Sequence, residues 1–161
     1  MKVAFYKGDG DKWRYRVVDG AIRWWTEGPY SHTEIVFSDG SWFSISPRNT
    51  KVRLERVAFD PEKWDFIEVA LTPEQERTTR SWAELQVGKR YDWLGIFLSQ
   101  ILPLTVHDLS RWFCSEIVLA ALQQVGLFHI WRPNEVHPNM LAYILRGNAA
   151  KPNTLVVGWS W

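Results

Sequence analysis

Short segments in the first half of the chain alternate apolar and polar residues, which is the pattern of β-strands. In the stretch YSHTEIVFSDG, residues 30–40, a strand would place His32 and Glu34 on the face opposite Ile35. Similar segments, bounded by turn residues, occur on either side of it. The pattern predicts strands at 1–7, 32–38, 41–46, 51–57 and 65–71, of which the last four are expected to form an antiparallel meander.

Apolar residues spaced three to four positions apart predict helices, mainly in the second half of the chain. Thr72 and Pro73 suit the N-cap and first position of a helix that ends at Gly88. Helices are also predicted at 13–26, 92–102, 114–125 and 137–147, and a strand at 154–159. The arrangement predicts an α+β fold in which a central antiparallel sheet packs against helices.

The charge balance limits the classes of partner. Lysine plus arginine (19) nearly equals aspartate plus glutamate (18), which argues against binding to nucleic acid through bulk charge. At 161 residues the chain can bury a core that needs no disulfide. No repeat or shift in composition divides it. We therefore expect a single domain over residues 1–161 that binds no nucleic acid.

The apolar segments and the single cysteine bear on the cellular compartment of the protein. The longest apolar segment, WLGIFLSQILPL at 93–104, is interrupted by polar residues and is shorter than the ~20 residues that span a bilayer. The N-terminal segment lacks the apolar region of a signal peptide. One cysteine excludes an internal disulfide and a multi-thiolate zinc site. The expected protein is cytoplasmic, or phage-encoded and released by lysis, with no stable membrane insertion, cofactor or metal.

Cys114 is predicted at the first turn of the helix in RWFCSEIVLAAL. A helix N-terminus exposes unpaired N–H groups and carries partial positive charge, so it stabilises a thiolate and a developing oxyanion. A buried structural cysteine is the alternative, and it is the commoner case for a cysteine considered alone. A nucleophilic thiol also needs a base within hydrogen-bond reach, and the strand-borne His32 is the candidate.

Three motifs together resemble a known family. YSHTEIVFSDG, GKRYDWLG and WFCSEIVLAAL are similar to motifs of the NlpC-type papain-like cysteine peptidases in their circularly permuted form, the YiiX/YaeF-like proteins. The motifs resemble those of lecithin retinol acyltransferase more distantly. The resemblance covers about residues 28–126. It implies a papain-like fold in which the histidine strand precedes the cysteine helix.

The resemblance also implies roles for individual residues. Cys114 corresponds to the nucleophile, His32 to the general base and Tyr91 to the tyrosine beside the thiol. Tyr91 is expected to bind the oxyanion or substrate together with the helix start at Ser115.

The residue that orients the histidine has two candidates. By position it falls on Ser44, where relatives carry His, Asn or Glu, although serine supplies no charge. Glu34 shares the predicted face of His32 and could supply a carboxylate instead. The alternative for Glu34 is a rim ion pair with Arg48, Lys51 or Arg53.

These observations predict a cysteine hydrolase that cleaves an amide bond in a cell-wall-type peptide or an N-acylated small molecule. A lipid acyltransferase or thioesterase using the same site is the second enzymatic alternative. The 11 tryptophans favour an aromatic core and rim, and contact with sugars or acyl chains is the alternative for them. A binding module of the same fold that lacks activity is the alternative from another class. The expected partner is a peptide, N-acyl or lipid-like small substrate.

Overall fold

The computed structural model describes residues 1–8, 13–46, 49–91, 111–112 and 114–149. The helix predicted at 92–102 and the strand predicted at 154–159 lie outside these residues.

The described chain has an α+β fold around a five-stranded antiparallel sheet in the order β5-β1-β2-β3-β4. Its strands are β1 (Lys2–Tyr6), β2 (His32–Val36), β3 (Trp42–Ser46), β4 (Asn49–Glu55) and β5 (Trp64–Glu68). Two short strands extend the sheet beyond β4: β6 (Arg90–Tyr91) pairs with β4, and β7 (Arg111–Trp112) pairs in parallel with β6.

The five predicted strands are confirmed, but the predicted meander is wrong at its last strand. β2, β3 and β4 do follow one another in space, whereas β5 pairs with β1 at the opposite edge, with Ala4 facing Phe66. β1 is a central strand whose Val3, Ala4 and Phe5 are fully buried, so both of its edges need partners. Alternation along a strand determines which residues share a face, but it carries no information about which strand lies alongside.

The described α-helices are α1 (Trp13–Trp25), α2 (Pro73–Gln86), α3 (Cys114–Gln123) and α4 (Pro138–Ala149), with 3-10 turns at Pro61–Lys63 and Pro133–Glu135. The predicted start of α2 is confirmed as a capping box, because the Thr72 hydroxyl accepts from the Gln75 N–H and the Gln75 side chain accepts from the Thr72 N–H. None of these described helices is long and apolar enough to cross a membrane.

The core lies between one face of the sheet and the helices α2, α3 and α4. Ile35 of β2 and Phe43 of β3 pair across the strands and are fully buried. They belong to the same apolar cluster as Ile117, Val118 and Leu122 of α3, which packs against β2 and β3. Burial of each such side chain contributes roughly 1.5–3 kcal/mol. This packing places the first turn of α3 near the beginning of β2.

Candidate active site

Cys114 is the first residue of α3, at the helix start that the sequence predicts. Its thiol forms no disulfide. It is 7% exposed, and the following Ser115 is 4% exposed. The first N–H groups of a helix have no partner within the helix, and the helix dipole places partial positive charge there. The sulfur therefore lies at the end of α3 that stabilises negative charge.

His32 is the first residue of β2, and its imidazole lies close enough to the Cys114 side chain for the two to interact through charge and hydrogen bonding. The imidazole is 12% exposed. The structure thus brings together the two residues that the motifs single out, although 82 positions separate them in the sequence.

An amide from α4 holds the chain just before His32. The Tyr30 N–H donates to Asn139 Oδ1 at 2.9 Å, and Asn139 Nδ2 donates to the Tyr30 carbonyl at 2.9 Å and to the Thr26 hydroxyl at 2.7 Å. The Asn139 side chain thus satisfies both backbone groups of Tyr30, as a neighbouring strand would. It approaches so closely that a Cβ at Gly28 would lie 2.3 Å from it, which explains the glycine.

Both predicted orienting residues contact the same ring nitrogen of His32. Nε2 lies 2.9 Å from Glu34 Oε1 and 3.3 Å from Ser44 Oγ. The Ser44 hydroxyl donates to the carbonyl of Thr33 at 3.1 Å, so it faces Nε2 as an acceptor. Glu34 and Ser44 thus both lie beside Nε2 rather than Nδ1. Glu34 is the closer partner and the charged one, and its carboxylate accepts the Nε2–H bond.

Glu34 also pairs with Arg53 on β4. Arg53 Nη2 donates to both carboxylate oxygens, at 2.8 and 3.0 Å. The two alternatives for Glu34 therefore occur together, and the rim location is wrong because its side chain is only 2% exposed. A buried carboxylate with no cation nearby would be costly, and Arg53 supplies the compensating charge. Arg53 Nη1 also donates to the exposed carboxylate of Glu55, at 3.1 Å.

Opposing effects act on the protonation of His32. Burial lowers its pKa, but the charge and hydrogen bond of Cys114 and those of Glu34 outweigh the burial and raise the pKa from 6.5 to about 9. The imidazole is therefore protonated at neutral pH. The protonated imidazole and the N-terminus of α3 are thus two groups beside the Cys114 side chain that stabilise negative charge.

The remaining predicted site residue is Tyr91. Its backbone lies in β6 and pairs with Trp112 of β7. Trp112 is two residues before Cys114 in the chain. The Tyr91 side chain lies outside the part of the chain that the structure describes.

Sequence reasoning named Arg53 only as one of three candidate ion-pair partners of Glu34, and it did not find Trp64. The contact of Arg53 with Glu34 depends on the β3–β4 register, which sets Arg53 directly opposite Ser44. The Trp64 ring lies 6.2 Å from the His32 ring because β5 pairs with β1. The alternation in 51–57 could have indicated a polar face for Arg53, whereas no local signal could have located Trp64.

Comparison of this chain with protein-family models, curated proteins and solved structures found no match. Among the described residues, no three His, Cys, Asp or Glu side chains form a group suited to a metal ion.

Proposed function

We propose that this chain is a cysteine hydrolase, with the permuted NlpC-type papain-like architecture, that cleaves an amide bond. The observation that carries the proposal is the continuous contact from Cys114, at the start of α3, through the imidazole of His32 to the carboxylate of Glu34. A nucleophile, a base and a group that orients the base are what thiol hydrolysis requires.

In the first step the Cys114 thiolate attacks the carbonyl carbon and forms a C–S bond. The oxyanion that develops accepts hydrogen bonds from N–H groups in the first turn of α3, at Cys114 and Ser115, with Tyr91 as a further donor. The His32 imidazolium gives its proton to the leaving nitrogen, the C–N bond breaks, and the amine departs. A thioester on Cys114 and a neutral imidazole remain.

In the second step neutral His32 takes a proton from water, and the resulting hydroxide attacks the thioester carbonyl. The C–S bond breaks, the carboxylic acid is released, and the thiolate–imidazolium pair is restored. Glu34 stabilises the imidazolium and holds the ring through Nε2, while Ser44 contributes a longer contact to the same nitrogen. Arg53 keeps the Glu34 carboxylate in place.

Alkylation of the thiol tests the nucleophile. Iodoacetamide reports on Cys114 alone, because the chain has one cysteine. An ordinary thiol with a pKa of about 8.5 is only about 1% ionised at pH 6.5, so an ion-paired thiolate should react at least about tenfold faster than free cysteine. His32→Ala should remove that advantage. His129→Ala, which changes an exposed histidine, is the matched control and should leave the rate unchanged.

Mass spectrometry of the intact protein during turnover of an activated ester tests catalysis. The proposal expects an acyl adduct on Cys114 that accumulates and then disappears. Equal alkylation rates in wild type and His32→Ala, together with no acyl adduct, would leave a binding module of the same fold as the better description.

A further inference from the structure

Aromatic side chains continue from His32 along one face of the sheet. The strand register aligns Trp64 of β5, Tyr6 of β1 and His32 of β2. The Trp64 ring lies edge-on to His32, with centroids 6.2 Å apart, and 5.1 Å from Trp42. Trp42 in turn contacts two phenylalanines. We call the four aromatic residues Trp42, Phe59, Trp64 and Phe66 the aromatic strip.

The aromatic strip has a buried base and an exposed surface. Trp42 is 2% exposed and supports Phe59 at 4.8 Å and Phe66 at 6.1 Å between ring centroids. Phe59 and Phe66 also contact each other, at 5.7 Å, yet they are 44% and 39% exposed. Contacts with Trp42 and with each other support these rings, while part of their apolar surface remains in water. A supported apolar surface of this kind favours the binding of an apolar ligand.

The position of the aromatic strip relative to the reaction indicates which part of the substrate it meets. The acyl group stays bonded to Cys114 Sγ at the helix start. The leaving group must come within hydrogen-bond reach of His32, because that imidazolium supplies its proton. The strip begins at the same imidazole, with Trp64. A substituent on a leaving group bound beside His32 would thus have the aromatic strip next to it.

We propose that the aromatic strip is a binding site for an apolar leaving group, so that the substrates are amides or esters whose amine or alcohol carries an alkyl or aryl substituent. The inference rests on the proposed hydrolase function and adds the substrate class. The binding of such a ligand becomes more favourable in proportion to the apolar area that it removes from water. The flat aromatic rings lose little conformational freedom when the ligand binds.

A series of 4-alkylphenyl acetates with methyl, butyl and hexyl substituents tests the proposal. The acetyl group and the leaving-group pKa stay nearly constant along the series, so kcat/KM reports the contribution of the alkyl chain. We expect wild-type kcat/KM to rise at least about tenfold from methyl to hexyl. Phe59→Ser and Phe66→Ser should each reduce that rise, and the double variant should abolish it. Leu85→Ser on α2, which removes another exposed apolar side chain, should keep it.

A second series, of 4-nitrophenyl esters from acetate to hexanoate, lengthens the acyl side instead. A rise confined to this series would overturn the assignment to the leaving group. Flat responses in both series, with rapid alkylation of Cys114 and an acyl adduct, would overturn the aromatic strip and leave the hydrolase standing. No turnover of any ester, together with ordinary thiol reactivity, would overturn both. Circular dichroism of Phe59→Ser and Phe66→Ser checks that each variant is folded, and Phe59→Ser, a loop change, alone suffices for the test.

Discussion

Two carboxylates in this protein bind similar partners in different settings. Glu34 pairs with Arg53 and accepts a bond from the ring of His32. Asp65 pairs with Lys7 at 2.6 Å and accepts a bond from the Tyr30 hydroxyl at 2.7 Å. The Glu34 side chain is 2% exposed, whereas that of Asp65 is 37% exposed.

The two carboxylates differ in the ring residue that each one binds, which is His32 for Glu34 and Tyr30 for Asp65. Burial, followed by the hydrogen bond to Asp65, raises the pKa of Tyr30 above 10, so the phenol stays protonated and acts only as a hydrogen-bonding group. Arg146 of α4 donates to the same oxygen, and the contacts tie α4 to Asp65 of β5 and to Lys7, just after β1. His32 carries a group that can exchange a proton with the thiol beside it. A paired carboxylate thus indicates a reaction site only when its ring partner also contacts a nucleophile.

The largest expected effect is on kcat, which should fall when Glu34 is changed but not when Asp65 is changed. Glu34→Gln keeps the shape of the side chain but removes the charge that stabilises the imidazolium, so kcat should fall by about a thousandfold. Asp65→Asn, the matched change, should alter kcat by less than about twofold. The measurement is steady-state hydrolysis of an aryl acetate by both variants. Similar losses in the two variants would contradict the division of roles.

The next effect concerns stability. Arg53→Met leaves the buried Glu34 carboxylate without its cation, and removal of one partner of a buried pair costs about 3–5 kcal/mol. Lys7→Met breaks a pair that is exposed on both sides and should change the free energy of unfolding much less. Urea unfolding of both variants gives the comparison. Equal losses would show that Glu34 is solvated in the folded protein.

The pH dependence of stability should run in opposite directions for the two clusters. The pKa of His32 is raised from 6.5 to about 9, so its contribution is complete below pH 6.5 and is lost as the pH rises through 9. The hydrogen bonds of Lys7 and Tyr30 lower the pKa of Asp65 from 3.8, so its contribution is present above pH 4 and is lost as the pH falls.

Unfolding free energies measured from pH 3 to 10 test this pair of expectations. The difference between wild type and His32→Gln should shrink between pH 6.5 and 9.5, and that between wild type and Asp65→Asn should shrink below pH 4. A His32 difference that grows with pH would mean that the folded protein holds the imidazole neutral.

The smallest effect is expected at Ser44. Ser44→Ala removes the 3.3 Å contact to Nε2 but leaves the charged partner of His32 in place. The loss of one neutral hydrogen bond should lower kcat by at most about tenfold, measured on the same aryl acetate. A loss of kcat larger than that caused by Glu34→Gln would mean that Ser44 on β3, and not Glu34 on β2, orients the imidazole.

Local patterns in the sequence determined the features that depend on a few neighbouring residues. Alternation in 32–38 placed His32 and Glu34 on one face of a strand, and Thr72 with Pro73 predicted the start of α2. The same kind of pattern placed Cys114 at a helix start. Such signals are readable because backbone geometry and capping are decided within one or two turns of chain.

The tertiary structure alone decided which segments meet. The pairing of β5 with β1 brought Trp64 to His32, the β3–β4 register that sets Arg53 opposite Ser44 brought Arg53 to Glu34, and the docking of α4 brought Asn139 to Tyr30. The first and last contacts join residues 32 and 109 positions apart. Partners at such separations are selected by the packing of the whole core, because any strand or helix with a suitable apolar face satisfies the local pattern equally well.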